Sequence, residues 1–419
     1  MKVLWFTNTP CSAAERLGLN IAMGGWLSSL EQELRNVPEI QLAVCFYHNK
    51  PFSSFVYQKV HYFPIFRNQR KIKIGRLITK FMHHRSMQKK DQYELKKLLN
   101  VVEVFNPDII HVHGTEDNFG LIHNFTKIPV VISIQGLLNP YADKYFSGIP
   151  RHTANTYEGL KSKLRFSHNE HNFKLFKLKA ERERNILKDA KYIIGRTDWD
   201  KNITRLLAPN SCYFVGNEIL RNSFYTSKWE KTKFDKPIQI LTISSDNLYK
   251  GFETIVATAN LLTKFTNIDF NWKVAGLSNE STIVRIVKKW KKFDLSKLHI
   301  ELLGKQNEQQ LSKLLLFSDI YCQVSHIENS PNSLCEAMMV GIPIVATHAG
   351  GSVSLLQDKK EGMIVQDGDY HAIAAALLHL SSDFNQAVNF GNNARSAALE
   401  RHNKDIITEK MYAIYKKIM

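Results

Sequence analysis

The feature that most constrains the fold is an alternation of short apolar runs with amphipathic stretches, which starts afresh near the middle of the chain. Short apolar runs fit buried strands, and amphipathic stretches fit helices packed on a sheet, so the alternation predicts two parallel α/β units. The predicted strands are Lys2–Thr7, Gln41–Phe46, Asp108–His113, Pro129–Ile134 and Lys191–Gly195, then Ile238–Ile243, Phe270–Ala275, His299–Leu303, Ile320–Val324, Pro343–Ala346 and Gly362–Val365.

The length supports the same division. A chain of 419 residues is too long for one ordinary core and suits two domains of about 200 residues each. Residues 217–237 are polar, mixed in charge and poorly periodic, so we predict the linker there. The expected units are an N-terminal domain over residues 1–216, a C-terminal domain over residues 238–402 and a last helix within residues 403–419.

The amino-acid composition limits the classes of protein to which this chain can belong. Apolar residues make up 44% of the chain, which argues against global disorder, while the net charge of +17 predicts an anionic partner such as nucleic acid, phospholipid or a phosphorylated substrate. The five scattered cysteines have no metal-ligand spacing, so neither disulfides nor zinc are predicted. No apolar run approaches a signal peptide or a membrane span, and we expect a cytoplasmic protein.

The most informative stretch is residues 325–351, which follow the predicted strand Ile320–Val324. Open α/β sheets bind ligands at the carboxyl ends of their strands. Ser330 followed by Pro331 predicts a helix start with the serine as N-cap, and Gly341 predicts its end.

This helix start suits a diphosphate. The backbone N–H groups of Asn332, Ser333 and Leu334 should be free there, and the helix dipole adds positive potential. Glu328 precedes the helix, and Glu336 lies in its second turn. Helical spacing places Glu336 roughly opposite the apolar face, where it could accept hydrogen bonds from the vicinal hydroxyls of a ribose.

The segment ENSPNSLCEAM at residues 328–338, with Gly-x-Pro and Gly-Gly after it, resembles retaining glycosyltransferase family 4, which has the GT-B fold. The resemblance implies two Rossmann-like, doubly wound domains that face a central cleft, with the donor nucleotide in the C-terminal domain. It implies that Glu328 lies at the donor sugar and that Glu336 binds the ribose. The diphosphate would be bound by the backbones of Asn332, Ser333 and Leu334, and Asn329 would also bind the donor.

A second segment, Leu248-Tyr249-Lys250-Gly251, resembles the Lys-Gly signature of the family. Its lysine neutralises the donor diphosphate, where negative charge accumulates in the transition state. The family usually has an arginine five residues earlier, and this chain has Ser245. The resemblance therefore leaves more of the phosphate binding to Lys250 and to the helix start.

The N-terminal half has fewer residues that match the motifs of the family. Gly24 and Gly25 resemble its glycine-rich loop near the donor phosphates, although a simple turn explains them nearly as well. His111 and His113 should share one face of a strand, and the resemblance implies that His113 touches the transferred sugar; the alternative is a structural histidine. Gln135 stands where many relatives have a histidine at the acceptor side.

The resemblance also implies the reaction. A hexose-type sugar would pass from UDP or GDP to a saccharide or polyprenyl-linked acceptor, with retention at the anomeric carbon, in polysaccharide biosynthesis. No Asp-x-Asp sequence has the context of a metal–diphosphate site, so we expect no metal and no cofactor. The last helix would cross back to the N-terminal domain.

Three other functions compete with that of a glycosyltransferase. A glycoside hydrolase uses two carboxyl groups across a scissile bond and needs no anion site between them. A nucleotide-sugar epimerase on the same fold stays open, because it would bind the same kind of donor. A nucleic-acid-binding protein would show aromatic residues among its basic ones or a known module; the stretch Arg67–Lys90 has one aromatic residue, Phe81, and no known module is visible.

The stretch Arg67–Lys90 carries nine Lys and Arg residues and no acidic one. Its apolar residues follow helical spacing, which is typical of a helix lying on an anionic membrane; packing against the N-terminal sheet is the alternative. The residues predicted to meet the anionic surface are Arg70, Lys71, Lys73 and Arg76.

Overall fold

The computed structural model describes residues 1–19, 25–67, 79–159 and 169–419. These residues form two separate sheets, each made of parallel strands with helices packed against them, and this confirms the predicted α/β class with two Rossmann-like units. The described helices are α1 (Ala13–Arg16), α2 (Gly25–Leu34), α3 (Thr79–Phe105), α4 (Leu138–Asp143), α5 (Arg151–Tyr157), α6 (Asn169–Lys188), α7 (Asp198–Leu207), α8 (Asn222–Thr226), α9 (Phe252–Phe265), α10 (Thr282–Lys291), α11 (Glu308–Phe317), α12 (Asn332–Val340), α13 (Tyr370–Ser382), α14 (Phe384–Arg401) and α15 (Lys404–Ile418).

The N-terminal sheet has eight strands in the order β3-β4-β2-β1-β5-β6-β7-β8. All neighbours are parallel except the short edge strand β3, which pairs antiparallel with β4. The chain order reverses between β1 and β5, so a crevice opens at the carboxyl ends of these two strands. The strands are β1 (Lys2–Thr7), β2 (Gln41–His48), β3 (Phe55–Tyr57), β4 (Val60–Phe66), β5 (Ile109–His113), β6 (Val130–Ser133), β7 (Tyr192–Gly195) and β8 (Cys212–Val215).

The C-terminal sheet has six parallel strands in the order β11-β10-β9-β12-β13-β14. This is the doubly wound order of a dinucleotide-binding domain, and it places the reversal between β9 and β12. The strands are β9 (Ile238–Ile243), β10 (Phe270–Ala275), β11 (Ile300–Gly304), β12 (Ile320–Gln323), β13 (Ile344–His348) and β14 (Met363–Gln366).

Three strands of the N-terminal sheet lack a predicted counterpart: β3, β4 and β8. All three lie towards the edges of the sheet. The residues of β8 form a run of only four and are half-buried or exposed, and the run of β4 is interrupted by His61 and Pro64. The interior strands, which are buried on both faces, are those that the sequence predicted.

The last helix joins the two halves. Side chains of α15, among them Met411, Ile414 and Tyr415, pack into the same core as β1 and α2 of the N-terminal sheet. The buried Tyr415 hydroxyl accepts a hydrogen bond from the Trp5 indole at 3.0 Å and lies 2.7 Å from Nδ1 of His111. The C-terminal segment is therefore part of the N-terminal domain.

The stretch 217–237 is packed rather than free. Ile219 belongs to the N-terminal core, whereas Phe224 and Trp229 belong to a core of the C-terminal sheet. The chain thus passes from one domain to the other close to Leu220. None of the described helices combines the length and the apolarity that a membrane span requires.

Candidate active site

Two loops at the reversal between β9 and β12 carry the residues with the strongest predicted roles. Lys250 ends the short helical turn after β9, and Glu328 lies in the loop after β12. Nζ of Lys250 forms an ion pair with Oε1 of Glu328. The lysine side chain is 21% exposed and the glutamate 8%, so both face a space that solvent reaches only narrowly.

The close approach of these loops depends on Gly251, which has a φ of 76°. A Cβ atom at this position would lie 2.1 Å from the carbonyl oxygen of Val324, at the end of β12. The N–H group of His326 also donates to the carbonyl of Tyr249 at 2.9 Å. Glycine therefore lets the Lys250 turn pack directly against the loop that holds Glu328.

Helix α12 begins one residue later than predicted. Its first helical residue is Asn332, with Pro331 in the N-cap position, so the prediction of Ser330 as N-cap is wrong. The N–H group of Leu334 donates to the Pro331 carbonyl at 3.0 Å and is not free for a phosphate, which corrects the prediction for that residue. The N–H groups of Asn332 and Ser333 have no backbone acceptor among the described residues, and they remain the donors at the helix start.

Glu336 is buried, contrary to the expectation that it lies away from the core. Its two carboxylate oxygens accept from Nε and Nη2 of Arg221, each at 2.8 Å. Burial raises the pKa of Glu336 to about 7, against the opposing effect of Arg221. No local pattern in the sequence indicates this pair, because its members lie 115 residues apart.

Gly25, the first residue of α2, lies against Arg221. A Cβ atom on this glycine would be 2.6 Å from Cδ of the arginine, so the missing side chain makes room for the guanidinium. The glycine at the start of α2 and the second turn of α12 are thus connected through one arginine. Its neighbour Gly24 lies outside the described residues.

The two histidines of β5 share one face, as predicted, with ring centroids 3.8 Å apart. Nε2 of His111 lies 2.6 Å from the Ser133 hydroxyl, and its Nδ1 reaches Tyr415, so this ring is held on both sides. His113 is fully buried, and neither of its ring nitrogens has a hydrogen-bond partner among the described residues. Burial, His111 and Arg196 hold the pKa of His113 well below its ordinary value, so the ring is neutral.

Contacts between the domains bring Gln135 next to Asn329, the residue that follows Glu328. The backbone carbonyl of Gln135 accepts from the side-chain N–H of Asn329 at 3.2 Å, and the side-chain oxygen Oδ1 of Asn329 accepts from the Thr197 hydroxyl at 2.7 Å. The side-chain nitrogen of Gln135 is buried without a hydrogen-bond partner in the described chain. Ser245 lies in the loop after β9, where its hydroxyl accepts from the Asn247 amide at 3.1 Å.

Sequence reasoning missed Glu116, which lies three residues beyond the end of β5. Burial, followed by the nearby Glu183, raises its pKa to about 7 against backbone hydrogen bonds. Burial raises the pKa of Tyr141 and of Tyr249, and Glu328 and Glu116 both add to it, so the two carboxyl groups face the same tyrosines from opposite domains. The signal available in the sequence was its position directly after the His-x-His-Gly segment.

Glu218, Cys335 and His402 place three potential metal-ligating atoms within 4.8 Å of one another, and all three side chains are buried. The Arg196 guanidinium already lies 3.8 Å from the Glu218 carboxylate. A cation here would face this positive charge, so the cluster is a poor metal site. The predicted membrane residues Arg70, Lys71, Lys73 and Arg76 lie outside the described residues.

Comparison with known proteins gives this geometry a family context. Residues 224–397, which run from α8 into α14, match the family described as Glycosyl transferases group 1. HepE of Anabaena, crystallised in complex with UDP-glucose, superposes over 100% of both chains with a TM-score of 0.64 at 15% identity. The fold is GT-B. The GT-B fold and the group 1 match do not favour the epimerase alternative.

Two curated relatives each match part of the chain. N-acetyl-alpha-D-glucosaminyl L-malate synthase of Bacillus anthracis is 29% identical over 186 residues, which are 43% of this chain and 45% of that protein. The amylovoran biosynthesis glycosyltransferase AmsK of Erwinia amylovora is 27% identical over 125 residues, or 28% of this chain and 31% of the relative. The chain thus spans less than half the length of these relatives.

Proposed function

We propose that this chain is a retaining glycosyltransferase of family 4, which moves a hexose-type sugar from UDP or GDP to a saccharide or lipid-linked saccharide in polysaccharide biosynthesis. The observation that carries the proposal is the Lys250–Glu328 ion pair, whose glutamate lies in the loop that leads into α12, within the group 1 match. HepE is described with UDP-glucose, which favours UDP over GDP. AmsK is named for amylovoran biosynthesis, which favours a polysaccharide product.

The donor would lie over the start of α12. Its diphosphate would accept from the N–H groups of Asn332 and Ser333 and attract the Lys250 ammonium away from Glu328. The carboxylate that this releases could then accept hydrogen bonds from hydroxyls of the donor sugar. Glu336 would hold the ribose hydroxyls while it keeps its contact with Arg221.

In the transfer step, the bond between the anomeric carbon and the diphosphate oxygen breaks, and a bond to the acceptor hydroxyl oxygen forms on the same face of the sugar. The proton of that hydroxyl passes to the leaving phosphate. Lys250 and the helix start stabilise the charge on the departing diphosphate, so the step would need neither a metal nor a cofactor. His113 and Gln135, on the N-terminal side, would meet the transferred sugar and the acceptor.

The first experiment identifies the donor. Thermal stability is measured with UDP, GDP and the corresponding nucleotide sugars, and transfer to saccharide acceptors is then followed by NMR at the anomeric carbon. The proposal expects stabilisation by one nucleoside diphosphate, retention of configuration and transfer that EDTA leaves intact. An inverted product would remove the chain from the proposed family, and rescue by magnesium after EDTA would refute the metal-free site.

We also propose that the enzyme works at the cytoplasmic face of an anionic membrane. The support is the basic stretch Arg67–Lys90, which carries nine positive side chains and no negative one. A lipid-linked acceptor would be concentrated at such a surface, and each basic residue near an anionic leaflet adds about 1 kcal/mol of attraction.

A further inference from the structure

Arg196 is a buried guanidinium whose hydrogen-bonding capacity is largely unused. It lies one residue beyond the end of β7, at the same edge of the N-terminal sheet as His113 and Gln135. Its side chain is 5% exposed. Within the described chain, its guanidinium donates no hydrogen bond; it lies 3.9 Å from the Trp26 ring centroid and 3.8 Å from a carboxylate oxygen of Glu218.

Other buried or half-buried arginines of this protein are better paired. Arg67 is hydrogen-bonded to Glu94 and Asp117, Arg182 to Asp91, and Arg221 to both oxygens of Glu336. Among the described residues, the protein does not fully enclose the unpaired nitrogens of Arg196. The small exposed area of the side chain therefore includes the guanidinium itself. A charge that is largely withdrawn from water and still open on one side is poised for an anionic ligand.

A second arginine and two carboxyl groups share the surroundings of Arg196. Glu218 is the buried carboxylate beside it, and the Arg401 guanidinium also acts on Glu218. Nη2 of Arg401 donates to the carbonyl of Arg196 itself, at 2.6 Å. Glu218 therefore faces two guanidinium groups, and Arg196 also acts on the carboxyl group of Glu116, whose pKa burial raises to about 7, so that part of it is uncharged at neutral pH. The two guanidinium groups are thus only partly balanced, and an anionic ligand would supply further negative charge.

The contacts of Arg196 lead to both sides of the predicted diphosphate site. Trp26 is the second residue of α2, whose first residue lies against the Arg221–Glu336 pair. On the other side, Glu218 accepts a hydrogen bond from Ser330 at 2.5 Å, two residues before α12 begins. The guanidinium thus lies between the start of α2 and the start of α12.

We propose that Arg196 binds an oxyanion of the donor diphosphate from the N-terminal side of the cleft. The inference rests on the proposed function. A guanidinium presents parallel N–H donors that match two phosphate oxygens, and the Trp26 face and Glu218 hold it in place without using those donors. Both domains would then bind the diphosphate, the N-terminal domain through Arg196 and the C-terminal domain through Lys250 and the start of α12.

The test compares the affinities for UDP, UMP and uridine, with GDP, GMP and guanosine in parallel, by titration calorimetry on the full chain. Arg196→Gln should weaken the preferred diphosphate by about 10–100-fold and leave the nucleoside unchanged, because a charge-assisted contact is lost only when phosphate is present. Arg196→Lys should fall between, since it keeps the charge and loses the paired donors. Arg205→Gln, an exposed arginine of α7, is the matched control.

A second variant separates binding from folding. Arg196→Gln leaves Glu218 with less positive charge nearby, so Arg196→Gln with Glu218→Gln removes both members of the pair, and it should show the same loss of diphosphate affinity. Diphosphate affinity unchanged in Arg196→Gln would overturn the inference, as would an equal loss of nucleoside and diphosphate. A raised acceptor KM with unchanged diphosphate affinity would assign Arg196 to the acceptor instead. A wild-type chain that binds neither UDP nor GDP would overturn the proposed function, and this inference with it.

Discussion

Lys250 has two alternative anionic partners. It pairs with Glu328 in this structure, and the proposed donor would offer it a diphosphate instead. A lysine suits such an exchange because its ammonium is a compact charge on a flexible stem. The same side chain would thus keep Glu328 paired before the donor binds and stabilise the leaving group afterwards.

Replacement of Lys250 by alanine should lower turnover by about 10²–10³, the scale for loss of one preorganised charge stabiliser. The measurement is steady-state transfer with the donor that the nucleotide panel identifies. Lys264→Ala, an exposed lysine in the last turn of α9, should leave turnover unchanged. Equal rates for the two variants would refute the role of Lys250.

His326 is a buried residue held between carboxylates. Its Nε2 lies 2.6 Å from Glu253 and its Nδ1 lies 3.5 Å from Asp367, which Lys144 of the N-terminal domain approaches at 3.5 Å. Burial alone would lower the pKa of His326, but the hydrogen bonds to Asp367 and Glu253 raise it to about 9. The histidine is therefore positively charged at neutral pH.

This charge should make part of the stability depend on pH. A raised folded-state pKa stabilises the fold fully below the unfolded pKa of about 6.5, and the contribution is lost as pH rises through about 9. His326→Gln should therefore cost about 2–3 kcal/mol at pH 6, and the gap to wild type should narrow towards pH 10. Denaturant unfolding between these values measures it, with exposed His379→Gln as control. A gap that does not change with pH would contradict this account.

At the scale of the elements, Gly251 joins the turn of Lys250 to the end of β12. Gly251→Ala should cost about 1–2 kcal/mol for the left-handed backbone, and further stability for the clash with Val324. Gly304→Ala is the matched control, because Gly304 has a similar φ of 67° and open space around it. Gly251→Ala should be the less stable variant and should weaken nucleotide binding, and equal stability of the two would show that the contact is unimportant.

The sequence predicted those elements whose cause is local. Interior strands such as β1 and β9 are apolar runs buried on both faces, and the end of α12 at Gly341 follows from one left-handed residue. The partners of Glu336 and Glu328 depend on how distant segments meet, so no local pattern could supply Arg221 or the ion pair with Lys250. The prediction of Ser330 as N-cap was wrong for the same reason. Its hydroxyl donates to Glu218, 112 residues away, and does not cap the helix.

At the scale of the whole molecule, the two domains are connected at several levels. Helix α15 returns to the N-terminal core, Asn329 reaches Gln135 and Thr197 across the cleft, and Lys144 reaches Asp367. Helix α15 packs through apolar side chains and through the buried hydrogen bonds of Tyr415, and Ile149 and Ala154 of the N-terminal half pack into a core of the C-terminal sheet. The contacts that Asn329 and Lys144 make between the domains are polar. Polar contacts can be exchanged for ligand contacts at lower cost, so domain motion should open the cleft while α15 stays in place.

The last prediction concerns the charge of the molecule. Arg67 is already bound to Glu94 and Asp117, so it is not available to lipid, whereas the adjoining basic residues have no acidic neighbour in the stretch Arg67–Lys90. Substitution of four of them by glutamine should abolish binding to anionic liposomes at low salt and leave nucleotide binding intact. The control removes the same charge from exposed lysines around the end of α10 and should keep lipid binding. Co-sedimentation with anionic and neutral vesicles at two salt concentrations is the measurement, and equal loss in both variants would mean that net charge alone attracts the protein. The substituted residues are Arg70, Lys71, Lys73 and Arg76, and those of the control are Lys288, Lys289, Lys291 and Lys292.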